Sequence, residues 1–340
     1  MILKRIFAAA LAFATAACTA AADVPAPGAP SAAAPQTEFR RGVNILGYDP
    51  IWEDPARARF QQKHFGIIRK GGFDFVRVNL HAFRHMDAQH RLPQAWLERL
   101  DWVVREATDA GLGVILDEHD FKSCGKDADG CAPRLLAFWR QVAPRYRNAP
   151  KSVAFELLNE PHGQLDAARW NALSAQVLAA VRETNPTRTV VIGPTRWNNM
   201  NELPTLQLPE TDRNILVTFH SYEPFRFTHQ GAPWANLTGV SGVTFGEADL
   251  PEIRAGYAKV AEWARANDRP IMLGEFGAYD KGGIPMAMRV AYTDAITREA
   301  ERNRFAWAYW QFDSDFIAYD INKGEWVEPI RAALIPPDAE

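Results

Sequence analysis

Phe155-Glu156-Leu157-Leu158-Asn159-Glu160-Pro161-His162-Gly163 begins as a strand and stops abruptly. Val153, Ala154, Phe155, Leu157 and Leu158 form a short apolar run of the kind a buried strand needs. Pro161 has no N–H to give a sheet ladder, so the chain must turn there. Glu160 therefore reads as a carboxylate at the end of a strand, at the mouth of a sheet rather than in its core. That is where α/β barrels keep their chemistry. Asn159 beside it can hydrogen-bond a substrate while Glu160 delivers a proton. Taken alone, the tripeptide reads more readily as an acid capping a helix that starts near Leu165, so the rest of the chain decides.

Working outward, short apolar runs recur at 43–46, 73–78, 112–116, 153–158, 189–192, 215–219, 271–273 and 305–310. Helical patterns lie between most of them, at 57–70, 93–110, 133–147, 166–183, 251–266 and 285–302. Pro opens four of these, where a first-turn proline forfeits no hydrogen bond. Eight strands alternating with helices, without a second composition zone, predict an α/β protein with a single (β/α)8 TIM barrel over 39–340. The stretch 197–213 is poor in helix, which weakens the fifth unit. An open doubly wound sheet would carry a Gly-rich phosphate turn after its first strand, and Gly42-Val-Asn-Ile-Leu-Gly47 is not one. No appended carbohydrate-binding module is expected.

The ends of the runs share a character. Asn44, then Arg77 with Asn79, then Asp117-Glu118-His119-Asp120, then Asn159-Glu160 close the first four. Trp197 with Asn198, His220 with Tyr222, Glu275, and Trp310 with Gln311 close the others. Each has a plain structural account; eight such ends on one rim describe a site. Two glutamates across that mouth are the set that cleaves a glycosidic bond. Glu160 would protonate the leaving oxygen and Glu275, in Leu273-Gly-Glu-Phe-Gly277, would attack the anomeric carbon. Arg77 and Tyr222 are the expected partners of Glu275, and His220 of Glu160. Glu156, Asp117 and Glu118 read as structural acids.

Composition excludes some classes. The 340 residues carry a net charge of −3, which offers no basic field to nucleic acid. Eleven Trp leave room for aromatic sugar platforms. Residues 1–22 read as an export signal, with Lys4 and Arg5 before an apolar run too short to span a bilayer. Two processing readings stay open: cleavage near Ala20–Ala22, or a lipoprotein box Thr15-Ala-Ala-Cys18 with Cys18 lipidated. Either places the protein in the periplasm, on the outer membrane or outside a bacterial cell. Residues 23–38, rich in Ala and Pro, form a tether. Cys124 and Cys131, expected in a polar loop, are read as a disulfide because a metal would need further soft ligands.

These residues match a family. The chain resembles glycoside hydrolase family 5, the retaining cellulase and mannanase group, from about residue 40 to 334. The resemblance rests on Arg77-Val-Asn, His119, the 155–163 stretch, His220-Ser-Tyr222, Gly274-Glu-Phe-Gly277 and Trp307-Ala-Tyr-Trp310. It implies Glu160 as acid/base and Glu275 as nucleophile, with Arg77, His119, Asn159, His220, Tyr222 and Trp310 around them. Pro224–Trp234 is similar to a loop of the bacterial endoglucanases, which points to Trp197 and Trp234 as platforms. Many relatives carry a second histidine where this chain has Asp120, an acid suited to accept from a sugar hydroxyl. The expected activity is endo-β-1,4-glucan hydrolysis, mixed-linkage glucan included. Mannan or mixed glucan–mannan cleavage is the alternative, followed by an exo-β-glucosidase. A non-catalytic glycan-binding barrel is the rival of another class, which loss of either glutamate would have favoured. No metal or organic cofactor is required, a glycan is the expected partner, and the chain is expected to be a monomer.

Overall fold

The computed structural model describes residues 36–337; the leader, Cys18 and the tether as far as residue 35 lie outside them. Eight parallel strands close into one barrel in sequence order. They are β1 (Arg41–Ile45), β2 (Phe75–Leu80), β3 (Gly113–Glu118), β4 (Val153–Glu156), β5 (Val190–Ile192), β6 (Ile215–His220), β7 (Ile271–Glu275) and β8 (Ala306–Tyr309). Closure is made by β1 against β8, with Arg41 opposite Trp307 and Val43 opposite Tyr309. Helices α1 (Gln62–Lys70), α2 (Gln94–Asp109), α3 (Phe121–Lys126), α4 (Ala128–Arg145) and α5 (Ala167–Arg182) follow the first four strands. After β5 come only the four-residue turn α6 (Thr195–Asn198) and a 3-10 segment, Met200–Thr205. This is the helix-poor fifth unit. Then follow α7 (Phe225–Thr228), α8 (Leu250–Asn267) and α9 (Met286–Arg302), and a final hairpin of β9 (Tyr319–Asp320) and β10 (Glu325–Trp326) before α10 (Glu328–Leu334).

The period-two alternation of strands explains where the site lies. One set of residues, including Val76, Val78, Val114, Leu116, Phe155, Val217 and Leu273, points outward into the core shared with the helices. The other set points into the barrel. Its lower layer is apolar, with Phe75, Ile115, Ala154, Val191, Leu216, Met272 and Ala306 closing the bore. Two residues further along the same strands stand Arg77, Asp117, Glu156 and Thr218, all fully buried. The barrel interior thus changes from hydrocarbon to charge within one layer, and the charged layer faces the C-terminal rim.

Three expectations are corrected. Glu160 is not the last residue of β4, which ends at Glu156. Asn159 N–H still donates to Glu118 O on β3, and the chain then turns at Glu160 with φ 43°. The segment holding Cys124 and Cys131 is not a polar loop but two helices, α3 and α4. Asp127 starts α4 early by accepting from the Gly130 N–H, an N-cap worth about 1 kcal/mol. Pro133, expected to open a helix, consequently lies inside α4. The expected disulfide Cys124–Cys131 is present, with Cα atoms 4.8 Å apart, and joins α3 to α4.

Candidate active site

Arg77 is the centre of the charged layer. Its Nε and Nη2 bond the two carboxylate oxygens of Glu156 at 2.6 and 2.8 Å. Nη2 also reaches Asn159 Oδ1 at 2.7 Å and stands 3.1 Å from Asp117 Oδ2. Nη1 donates to Asn44 Oδ1 at 2.8 Å and to Glu275 Oε1 at 2.9 Å. One buried cation among three carboxylates is held protonated, its pKa raised well above normal by Asp117, Glu156 and Glu275 against the cost of burial. Asp117 and Glu156 thus hold the arginine, and Asn44 and Asn159 fix its edges. The sequence reading of Glu156 as an acid paired to a barrel arginine is what the geometry shows.

Glu160 and Glu275 come together above this layer. One oxygen of each, with a His220 ring nitrogen, lie within 4.8 Å of one another. Their surroundings differ. Glu275 receives Arg77 on Oε1 and the Tyr222 hydroxyl on Oε2 at 2.9 Å. Glu160 is 2.7 Å from His220 Nδ1 through Oε1 and has no cation in direct contact among the described residues. Burial pushes both pKa values up. Glu160 reaches about 8, with Arg77 opposing the rise. Glu275 reaches about 7, because Arg77 opposes a rise to which Glu160 adds. Glu275 is therefore the first of the two to ionise. His220 itself is lowered by burial and stays neutral near pH 7.

The remaining predicted residues line the same mouth. His119 is buried, 2.6 Å from Asp117 Oδ2 through Nδ1, and its ring stacks on Trp310 with centroids 5.6 Å apart. Trp310 N–H donates to Phe276 O, which ties that ring to the Glu275 side. Trp197 and Trp234 are 53% and 49% exposed. Trp197 N–H donates to Pro161 O, which ties it to the Glu160 side. Trp234 stands edge-on to Tyr279 at 4.8 Å, further along the Trp310 side. Asp120 turns one carboxylate oxygen to the Phe83 N–H at 2.8 Å, joining the loop after β2 to the rim.

Several residues escaped the sequence reading. Tyr48, 58% exposed, meets Trp310 edge-on at 6.2 Å. His162 stacks beneath Trp197 at 4.7 Å, and Phe121 packs on both His162 and His119. The closing His-Gly of the 155–163 stretch was a signal for His162; nothing in the sequence pointed to Tyr48.

Two facing glutamates at the C-terminal mouth of a closed parallel barrel are an arrangement suited to glycosidic bond cleavage. A family model for cellulase, glycosyl hydrolase family 5, matches residues 34–315. The chain belongs to that family. Endoglucanase H of Acetivibrio thermocellus is 27% identical over 300 residues, covering 85% of this chain and 31% of its own length. The chain spans between 31% and 61% of the length of three such curated relatives. A solved endoglucanase superimposes with a TM-score of 0.82 at 36% identity, over 88% of this chain and 97% of its own. Thermotoga maritima Cel5A, solved with mannotriose and also with cellobiose, gives a TM-score of 0.82 at 33% identity, covering 87% of this chain and 97% of its own.

Proposed function

We propose that this chain is a retaining endo-β-1,4-glucanase in which Glu160 is the acid/base and Glu275 the nucleophile. One observation carries the reading: two carboxylates within 4.8 Å with opposite electrostatic support. Retaining glycosidases hold this pair about 5 Å apart, whereas inverting ones need more than about 6.5 Å to admit a water. Arg77 and Tyr222 on Glu275 favour its ionised form, which attacks the anomeric carbon as the glycosidic C–O bond breaks. Glu160 keeps its proton to a higher pH and gives it to the leaving oxygen. In the second half of the cycle, Glu160 takes a proton from water, and that water releases the sugar from Glu275. Asn44 and Asn159 hold the Arg77 edges, while Asn159 offers its amide to a sugar hydroxyl. Trp310 and His119 form the floor on the Glu275 side, and Trp197 and Trp234 extend the cleft. Export, by an ordinary signal or with lipidated Cys18, and a monomeric state belong to the same proposal.

A second reading, cleavage of mannan or of both polymers, is favoured by the mannotriose complex of Thermotoga maritima Cel5A. The test is reducing-end release from β-1,4-glucan, mixed-linkage glucan, xyloglucan and mannan, with Glu275→Ala beside the wild type. Glucan cleavage lost in the variant is expected. Cleavage of mannan alone would move the assignment to the second reading. Binding without release from any polymer would overturn the enzymatic one. The anomer formed first, followed by NMR, tests retention: an α product at early times would exclude Glu275 as nucleophile.

A further inference from the structure

The turn α6 breaks a rule of backbone geometry three times in succession. Arg196, Trp197 and Asn198 have φ values of 55°, 63° and 54°, in the left-handed region that costs a non-glycine residue about 1 kcal/mol or more. Three such residues in a row need a reason, and the exposed Trp197 explains only one of them. Asn198 points the other way. It is fully buried, and its Nδ2 lies 3.2 Å from Nε2 of His220. Its Oδ1 has no hydrogen-bond partner among the described residues, so the imidazole is the one polar group its amide serves. The pairing of Asn199 with His220 fixes the segment to β6. Gly274 leaves room for the contact, since a side chain there would strike His220 Nε2 at 2.8 Å.

We propose that Asn198 is a positioning residue for the acid/base: its amide N–H holds Nε2 of His220 as an acceptor, which places the imidazole proton on Nδ1, facing Glu160. This rests on the assignment of Glu160 above. Nδ1 is 2.7 Å from Oε1 of Glu160 and 3.7 Å from Oε2 of Glu275. With the ring proton there, Oε1 of Glu160 accepts in both halves of the cycle, and the transferable proton is confined to Oε2. That proton passes from Oε2 to the glycosidic oxygen as the C–O bond breaks and Glu275 bonds the anomeric carbon. A proton from the incoming water returns to Oε2. His220 keeps its own proton throughout. The opposite tautomer would turn Nδ1 into an acceptor and draw the Glu160 proton onto Oε1, away from substrate. A protonated ring would leave Glu160 ionised. The charged groups around the ring are Glu160 and Glu275 in contact, with Arg77, Glu156 and Asp117 beyond them.

Two substitutions separate side chain from backbone. Asn198→Gly suits the left-handed turn better than asparagine does, yet removes the amide. Asn198→Asp keeps the shape but can only accept from Nε2. Each is assayed by kcat/KM on aryl cellobiosides with a poor (phenyl) and an activated (2,4-dinitrophenyl) leaving group, since only the poor one needs the acid. Asn198→Asp is expected to lose about 100-fold on the phenyl substrate and little on the dinitrophenyl one, with Asn198→Gly in between. Equal losses on both substrates, or an unaffected Asn198→Gly, would overturn the proposal. Glu160→Ala is run alongside: if it shows no leaving-group selectivity, the assignment of Glu160 fails instead. Proton–nitrogen correlation NMR of the histidine-labelled enzyme reads the tautomer directly. A protonated Nδ1 with a bare Nε2 on His220 is expected; a protonated Nε2 would sink the idea.

Discussion

Arg77 and Arg188 are both buried, one in the charged layer beneath the C-terminal rim and one at the opposite end of the strands. Arg77 is surrounded by carboxylates. Arg188 is surrounded by backbone carbonyls: it donates to Tyr146 O at 2.8 Å, to Ala149 O and Val153 O at 2.9 Å, and to Pro150 O. The same guanidinium therefore performs two different tasks. Against neutral dipoles it ties α4, β4 and the start of β5 together, and burial lowers its pKa. Against anions it becomes a fixed field that sets which of two glutamates gives up its proton first. What an arginine does in a barrel is decided by the charge of its partners, not by its depth.

The contrast can be tested from its strongest consequence downward. Glu275→Ala should lower kcat by about 10^5-fold, as loss of a nucleophile does elsewhere, with thermal stability retained. Arg77→Lys should lower kcat/KM by about 100-fold or more and move the acidic limb of the pH profile upward, because one ammonium group cannot bond Glu156, Asn44, Asn159 and Glu275 together and Glu275 loses its donor. Arg188→Lys should do the reverse: a loss of about 2 kcal/mol in denaturant unfolding with an unchanged pH profile. A shifted profile in that variant would dissolve the distinction between the two ends.

The wild-type profile itself is expected to be bell-shaped and narrow. With the proposed roles, activity needs Glu275 ionised, above about 7, and Glu160 protonated, below about 8. Stability follows the same groups with a definite sign. Both values are raised above the ordinary 4.5, so the folded chain keeps protons that the unfolded chain has released. Their contribution is full below 4.5 and disappears as the pH rises through about 7 and 8. Glu275→Gln, permanently neutral, should flatten that decline in a urea titration run at several pH values. The smallest effect belongs to Trp197→Ala, a rise in KM of a few-fold with kcat nearly unchanged.

Much of the charged end was legible because strand residues alternate. Once Phe73–Val78 read as a strand, Arg77 had to face either the bore or the helices, and a lone cation among apolar neighbours belongs in the bore. Glu160 was placed at the barrel mouth, but from the wrong local geometry. Its carboxylate reaches the mouth from a left-handed turn four residues past β4, and no local propensity announces such a turn at glutamate. The Cys124–Cys131 stretch misled through composition: Lys, Asp and Gly look like a loop until Asp127 caps a helix. Tyr48 and the Asn198–His220 contact depend on distant segments meeting, which a single sequence does not encode locally. Arg188 lay in an unremarkable Thr-Arg-Thr, and its carbonyl partners come from the end of α4, the turn that follows it and the first residue of β4.

Phe121 has a consequence beyond packing. Its edge meets His119, which lies flat on Trp310, and also His162, which lies flat under Trp197. The two ends of the cleft thus share one continuous floor, spliced at a single ring. That ring opens α3, and the disulfide bolts α3 to α4 three residues later. Mechanically the cleft is a plank rather than two separate footholds, so a polymer chain pressing on one end is resisted at the other. Alanine at Trp197 and at Trp310 should then be non-additive in a double-mutant cycle of polymer KM. Reduction of the disulfide should abolish that coupling while leaving hydrolysis of a short aryl glycoside intact.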